Sequence, residues 1–397
     1  MSATGTRRRA PPGPGSEDAV STAGDRIRVT HTGSLPRPQP LLDLMVAKER
    51  GELSDRAPFE EAVRSAVRAA VRRQVDLGID VVNDGEMGRV DYTVYVAERL
   101  EGFGGKSAVL RNPDVEEFPE WADLLRRMSS PFGRRPACTG PVGWRDFGAV
   151  ERDLQTLRSA AAGAGAEEVF VTAASPGQIA RFLENQHYPS HEEYVFALAG
   201  VMRREYEAVA EAGFVLQLDC PDLALGRHQQ FSERGLDDFR AIAHQHVEAI
   251  NEATRNIAPE RMRMHICWGS TEGPHHRDVP MEEIADLLLE ARPQALAFPA
   301  ANGRHEHEWR AWRQRDVGEK RLIVGAVDTT TNIIEHPRVV ADRLVRFAEV
   351  VGRERVLAGT DCGLGTFAGR VQVAGEIAWR KLGALVEGAR LASGDLA

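Results

Sequence analysis

From residue 26 to the C-terminus, short apolar runs alternate with longer amphipathic stretches. RIRVTHTGS (26–34) reads as a strand. The spacing over 56–78 predicts a helix, because Phe59, Val63, Val67, Val71 and Val75 recur every four residues along one face. Gly78 supplies its C-terminal stop. IDVVNDGE (79–86) is the next strand, and the alternation then repeats. EEVFVTAAS (167–175) precedes a helix over 191–212, and FVLQLD (214–219) precedes one over 236–254. RMHICW (263–268) precedes 281–291, and ALAFPA (295–300) precedes a helix near 306–314. RLIVGAVD (321–328) precedes 336–352, and RVLAGTD (355–361) precedes a final helix ending near Leu391.

These are eight strand–helix units. Most of the strand runs are apolar throughout, as in parallel strands buried on both faces. The expectation is an α/β fold, a (β/α)8 TIM barrel with a long excursion between strands two and three. The excursion holds residues 113–135 and a ninth strand candidate, PACTGPVG (136–143). An open doubly wound sheet is the alternative, but no G-x-G-x-x-G follows the first strand. Residues 1–25 are mostly Gly, Pro, Ser, Thr and Ala around Arg7, Arg8 and Arg9. Without an apolar segment they read as a disordered tail and not a signal peptide. Residues 26–397 are read as one catalytic barrel.

Composition narrows the partners. The 397 residues are 42% hydrophobic, enough for a sizeable core. A net charge of -9 leaves no basic footprint for nucleic acid or an anionic membrane. No apolar run approaches a membrane span. The expected partners are therefore small molecules, and a homo-oligomer is left open. Four cysteines, Cys138, Cys220, Cys267 and Cys362, are too few for a disulfide framework in a chain this long. They suit a reducing cytoplasm.

In a barrel the C-terminal strand ends surround the active site. Here those ends carry His31 and Ser34, Glu86, Asp219, His265 and Cys267, Asp328, and Asp361 with Cys362. His265 and Cys267 lie two residues apart on a strand, so both side chains face one side. Cys362, at another strand end, could complete a zinc site of one imidazole and two thiolates. The alternative is two buried thiols packed as small apolar groups beside a hydrogen-bonded histidine. Cys138 and Cys220 fit such packing, and Cys220 points away from the side that Asp219 faces. Glu86, Asp219 and Asp361 are candidates for acid–base work or for orienting a polar substrate. Against that, backbone amides and arginines could satisfy them, with Glu86 paired to Arg89. His275, His276 and the His-Glu run 305–308 are expected on a solvated loop and an exposed helix turn, not as ligands.

The stretches HTGSLPRP, NDGEMGR, LQLDCPDLALGRH, HICWGS, ANGRHEHEW and GTDCGLGTF resemble the cobalamin-independent methionine synthase superfamily. The likeness is to its single-barrel methionine-synthase-II-like branch, related to the epoxyalkane–coenzyme M transferases. It implies a (β/α)8 barrel and a zinc ion that activates a thiol for alkyl transfer. His265, Cys267 and Cys362 match the family's metal ligands. Ser34, Glu86 and Asp219 match positions that hold the amino-acid part of homocysteine. Asp361 and His31 are the candidates to protonate a leaving group.

Two departures stand out. Where relatives have a glutamate ligand, this chain has Pro299 in Phe298-Pro299-Ala300-Ala301-Asn302, so the fourth position would be taken by water or the substrate thiolate unless Glu306 or Asn302 reaches in. Where the synthases have an acid histidine associated with the folate donor, this chain has Thr330. The expected function is thus zinc-dependent alkyl transfer, methyl foremost, to or from a small thiol. The alternative is a metal-free lyase or decarboxylase on a barrel like that of the uroporphyrinogen decarboxylases.

Overall fold

The computed structural model describes residues 26–127 and 135–397. The tail expected over 1–25 lies outside the described residues. Among the described residues there are ten strands: β1 (Arg28–Val29), β2 (Val81–Val82), β3 (Leu100–Gly104), β4 (Ala137–Trp144), β5 (Glu168–Ala174), β6 (Val215–Asp219), β7 (Met262–His265), β8 (Ala295–Pro299), β9 (Arg321–Val327) and β10 (Val356–Thr360). Eight form one parallel sheet in the order β1-β10-β9-β8-β7-β6-β5-β2, so the last strand pairs with the first. At the remaining join, Asp80 N donates to Val29 O (3.0 Å) and Thr30 Oγ1 to Val81 O (3.0 Å). Side-chain and single backbone bonds thus close what two two-residue strands cannot close as a ladder. The result is the nearly closed (β/α)8 barrel expected from the eight apolar runs.

The excursion between the second and third barrel strands is also as expected. β3 and β4 pair antiparallel outside the barrel, with Leu100 opposite Trp144 and Phe103 opposite Cys138. Helices Pro113–Glu116 and Pro119–Arg127 belong to the same excursion. It docks on the loop after β5, where Cys138 N donates to Glu184 O (2.8 Å) and Gln186 N to Cys138 O (2.9 Å).

The helix over Ala57–Leu77 buries Val67 and Val71, while Phe59, Val63 and Val75 pack half-buried against the same core. Gly78 ends it at φ +86°, a left-handed conformation that costs glycine little. Helices His191–Glu211, Leu236–Ala253, Pro337–Val351 and Gly375–Asp395 surround the barrel much as the periodicity predicts. Two expected helices are shorter. Residues 281–291 form a 3-10 turn, Met281–Glu283, then only Ala285–Glu290. Pro293 lies just beyond, and the residue before a proline leaves the helical region. The helix near 306–314 is a 3-10 segment, Glu306–Trp312. Its Glu308 is tied to both Met281 N (2.8 Å) and His305 (2.9 Å).

Inside the barrel a buried polar plug underlies the mouth. Arg263 Nε donates to Gln217 Oε1 (2.6 Å), Nη1 to Thr30 Oγ1 (2.8 Å) and Nη2 to His31 O (2.5 Å). Its guanidinium lies 3.5 Å from the centre of the Phe170 ring. Burial lowers its pKa to about 9, yet it remains a cation at neutral pH. Gln217 Nε2 in turn donates to Asp219 Oδ1 (2.8 Å), linking the plug to the site above it.

Candidate metal centre and active site

His265 ends β7, Cys267 follows two residues on, and Cys362 lies two residues beyond Thr360, the end of β10. Thr360 Oγ1 donates to Cys362 O (2.8 Å), which fixes that turn. The two sulfurs lie 4.0 Å apart, and the three ligand atoms all lie within 4.8 Å of one another. A tetrahedral zinc with Zn–S of about 2.3 Å holds two sulfurs about 3.8 Å apart. All three residues are buried. Both ring nitrogens of His265 are buried without a hydrogen-bond partner. Such orphaned groups cost on the order of 1–3 kcal/mol each, so a folded protein seldom keeps them without a use. Contact with Cys362 and burial push the Cys267 thiol up, while Cys267 and His265 hold Cys362 well below its ordinary value. A soft dication fits this donor set and would relieve every one of these tensions.

The three residues line a cavity of about 190 Å³ whose wall also carries Ser34, Glu86, Tyr92 and Asp219. Glu86 is aimed by a turn in which both Gly85 (φ +68°) and Glu86 itself (φ +57°) are left-handed. That conformation is uncommon for a residue with a side chain and gathers at functional sites. Glu86 Oε1 accepts from Thr172 Oγ1 (3.2 Å), while Oε2 is buried with no partner. Burial, then the charge of Asp219, push Glu86 up to about 8, and burial pushes Asp219 up to about 6. The charge of Arg89 pulls Glu86 the other way without outweighing burial, while its Nη1 donates to Thr172 O (2.8 Å) and its guanidinium covers the Tyr95 ring. Ser34 requires Gly363, since a Cβ there would stand 1.9 Å from Ser34 Oγ.

The other two sequence candidates are not brought to the cavity. Asp361 accepts from Ala300 N, Ala301 N and Asn302 N, each at 2.9 Å, and from Asn302 Nδ2 (3.0 Å). Burial raises its pKa to about 7, against the pull of these donors. It fastens the segment after Pro299. His31 Nε2 pairs with Gln74 Oε1 (2.8 Å), and burial lowers its pKa to about 4. Asn302 is taken up by Asp361, and Glu306 lies 3.6 Å from Arg343 and 3.8 Å from Arg346. Neither turns to the sulfurs. Thr330 Oγ1 donates to Asp328 Oδ1 (2.9 Å).

The expectation of solvated histidines at 275 and 305 is corrected. His305 is buried, stacked on Trp268 with centroids 4.0 Å apart, and its Nε2 pairs with Asp278 Oδ2 (2.8 Å). His275 Nδ1 meets the same oxygen at 2.9 Å. Burial opposes the charge on His305, but Asp278 and Glu308 outweigh it and raise its pKa to about 9. Asp278, His228 and Asp114 were missed in the sequence because they stand on three segments far apart along the chain, Asp114 on the short helix Pro113–Glu116 and the other two on loops. Of the three, only His228 falls in a stretch that carried the family resemblance, LQLDCPDLALGRH.

Comparison with known proteins points to methionine synthases. A family model described as "Cobalamin-independent synthase, Catalytic domain" matches residues 27–114. The methionine synthase of Saccharolobus solfataricus is 25% identical over 373 residues, covering 93% of this chain and 96% of that protein. That of Thermococcus kodakarensis is 27% identical over 370 residues, covering 92% and 93%. Among solved structures, a B12-independent methionine synthase from Shewanella sp. W3-18-1, in complex with selenomethionine, shares the fold at a TM-score of 0.69. It is 20% identical and covers 94% of this chain and 99% of that one. The chain is thus similar to the cobalamin-independent methionine synthases: in sequence to a catalytic-domain model over residues 27–114 and to archaeal methionine synthases over nine-tenths of its length, and in fold to a B12-independent one.

Proposed function

We propose that the protein transfers a methyl group, or a close alkyl equivalent, to a small thiol amino acid at a zinc centre held by His265, Cys267 and Cys362. The observation that carries this reading is the convergence of three buried donors, one imidazole and two sulfurs, beside two buried carboxylates, Glu86 and Asp219, whose pKa values burial holds above the ordinary range. A zinc ion bound there would lower the pKa of a thiol placed at its open position, supplying a thiolate at neutral pH.

The rest is done by the chain's own side chains. Glu86 and Asp219 face the cavity together and bind the substrate's ammonium group, giving up a proton as they do so. Ser34, beside Gly363, offers a hydroxyl to the substrate carboxylate. Asp361 and His31 act as positioning residues, Asp361 by holding the segment after β8 and His31 by bonding Gln74 of the neighbouring helix. Thr330 hydrogen-bonds to Asp328 where an acid would stand, so the reading covers thiol activation and not a folate donor. Four cysteines, two of them in the site, suit a reducing compartment, and we place the enzyme in the cytoplasm. No described helix is long and apolar enough to cross a membrane.

The test uses homocysteine as probe thiol and methyl iodide as a donor that needs no acid. At neutral pH the zinc-loaded protein accelerates methionine formation over buffer, and Cys362→Ser or chelation removes the acceleration. A rate equal to buffer overturns the reading. Turnover of another substrate that survives chelation would return the metal-free lyase alternative.

A further inference from the structure

We propose a second cation site, at the mouth of the same cavity, made by Asp114, His228 and Asp278 and suited to a divalent first-row ion such as Mn²⁺. The three residues come from remote segments: Asp114 from helix Pro113–Glu116 of the excursion, His228 from the loop after β6, and Asp278 from the loop after β7. One ligand atom from each lies within 4.8 Å of the others. All three residues are at least nine-tenths buried. Asp114 Oδ1, His228 Nδ1 and Asp278 Oδ1 are each buried without a hydrogen-bond partner. His228 Nδ1 stands 3.3 Å from Asp278 Oδ1, and His276 Nδ1 stands 3.7 Å from Asp114 Oδ1, neither aligned as a hydrogen bond.

The other oxygen of Asp278 is fully engaged. Oδ2 takes His275 Nδ1 at 2.9 Å and His305 Nε2 at 2.8 Å, and His305 Nδ1 meets Glu308 Oε2 at 2.9 Å. Partners of this kind orient a metal-binding carboxylate and leave its second oxygen free to ligate. His275 holds its place in left-handed backbone at φ +53°. A plain histidine–carboxylate network explains Oδ2. It does not explain three inward-facing atoms left unbonded around one point, nor why Asp114 of the excursion is brought there. Two carboxylate oxygens and one imidazole make a harder set than the two sulfurs and imidazole below, and suit manganese better than they suit a thiophilic ion. Asp114 and His228 also line the cavity, so open positions on the cation face the substrate space. An oxygen-rich group on the alkyl donor is the ligand that would fit there.

This inference does not rest on the thiol reading, since none of the three residues belongs to the sulfur-lined group. The test loads the full chain with one equivalent of zinc and titrates Mn²⁺, following loss of the free-ion electron paramagnetic resonance signal. The wild type takes up one Mn²⁺ per chain, and Cys267→Ser does the same. Asp114→Asn and His228→Ala, checked as folded by circular dichroism, bind at least tenfold more weakly. A wild type with no saturable uptake, or uptake unchanged in both variants, overturns the proposal.

Discussion

Glu86 combines a left-handed backbone, a buried unbonded oxygen and a neighbouring carboxylate, Asp219. Its pKa of about 8, and about 6 for Asp219, lie above their ordinary values, so the folded protein holds protons that the unfolded chain would have released. These groups therefore weaken the fold as pH rises from the ordinary carboxylate range toward 8. Binding an ammonium group reverses the balance, because it favours the ionised pair. Affinity for an amino acid bound through its ammonium group should rise between pH 6 and pH 8, by up to about tenfold per unit for each proton released. Calorimetry in two buffers of different ionisation enthalpy counts those protons, and zero net release contradicts the assignment. A second prediction concerns Gly177, where a Cβ would stand 2.2 Å from Asp222 Oδ2 and 2.4 Å from His246 Nδ1. Gly177→Ala should cost roughly 3 kcal/mol, read from urea denaturation, since the surrounding Ser175–Asp222–His246 bonds leave no room to yield. At this scale the sequence showed His265 and Cys267 through their two-residue spacing. The same alternation accounts for the two misplaced acids. Thr32, Ser34 and Cys362 face the cavity, so their neighbours His31 and Asp361 face away from it.

Helix periodicity was readable where a helix packs by one continuous stripe, as over Ala57–Leu77. It failed over 281–291 and 306–314, where Pro293 and the bonds of Glu308 decide the geometry locally. Packing between elements is equally specific. Lys381 of helix Gly375–Asp395 is fully buried and pairs with Glu335 at 2.9 Å, ahead of helix Pro337–Val351, and Glu335 Oε1 also accepts from Asp328 N (2.9 Å). Lys381→Met leaves that carboxylate buried and uncompensated, and should lower stability by about 3–5 kcal/mol in denaturant unfolding. Replacing Glu335 by Leu in the same chain should recover most of the loss, because removing both charges also removes the desolvation cost.

For the whole molecule, eight apolar runs were enough to indicate a closed parallel barrel. The mouth was not legible, because its cover is built by contacts between the excursion and a loop more than 150 residues further on, such as His276 Nε2 with Glu117 Oε2 at 2.9 Å. Nothing in local pattern couples segments so far apart. The metal-binding reading also has a global consequence. Zinc that binds only the folded chain at about a thousandfold above its dissociation constant adds about 4 kcal/mol. In a chain of this size that should raise the melting temperature by about 5 °C, and chelation should reverse it.

X-ray absorption at the zinc edge, on protein loaded with one equivalent, reads the donor set itself. The account predicts two sulfurs near 2.3 Å with one imidazole nitrogen, as thiolate and histidine zinc bonds require, and a third sulfur when homocysteine is added. A shell of oxygen and nitrogen alone, or a sulfur count unchanged by Cys267→Ser and Cys362→Ser, would contradict it.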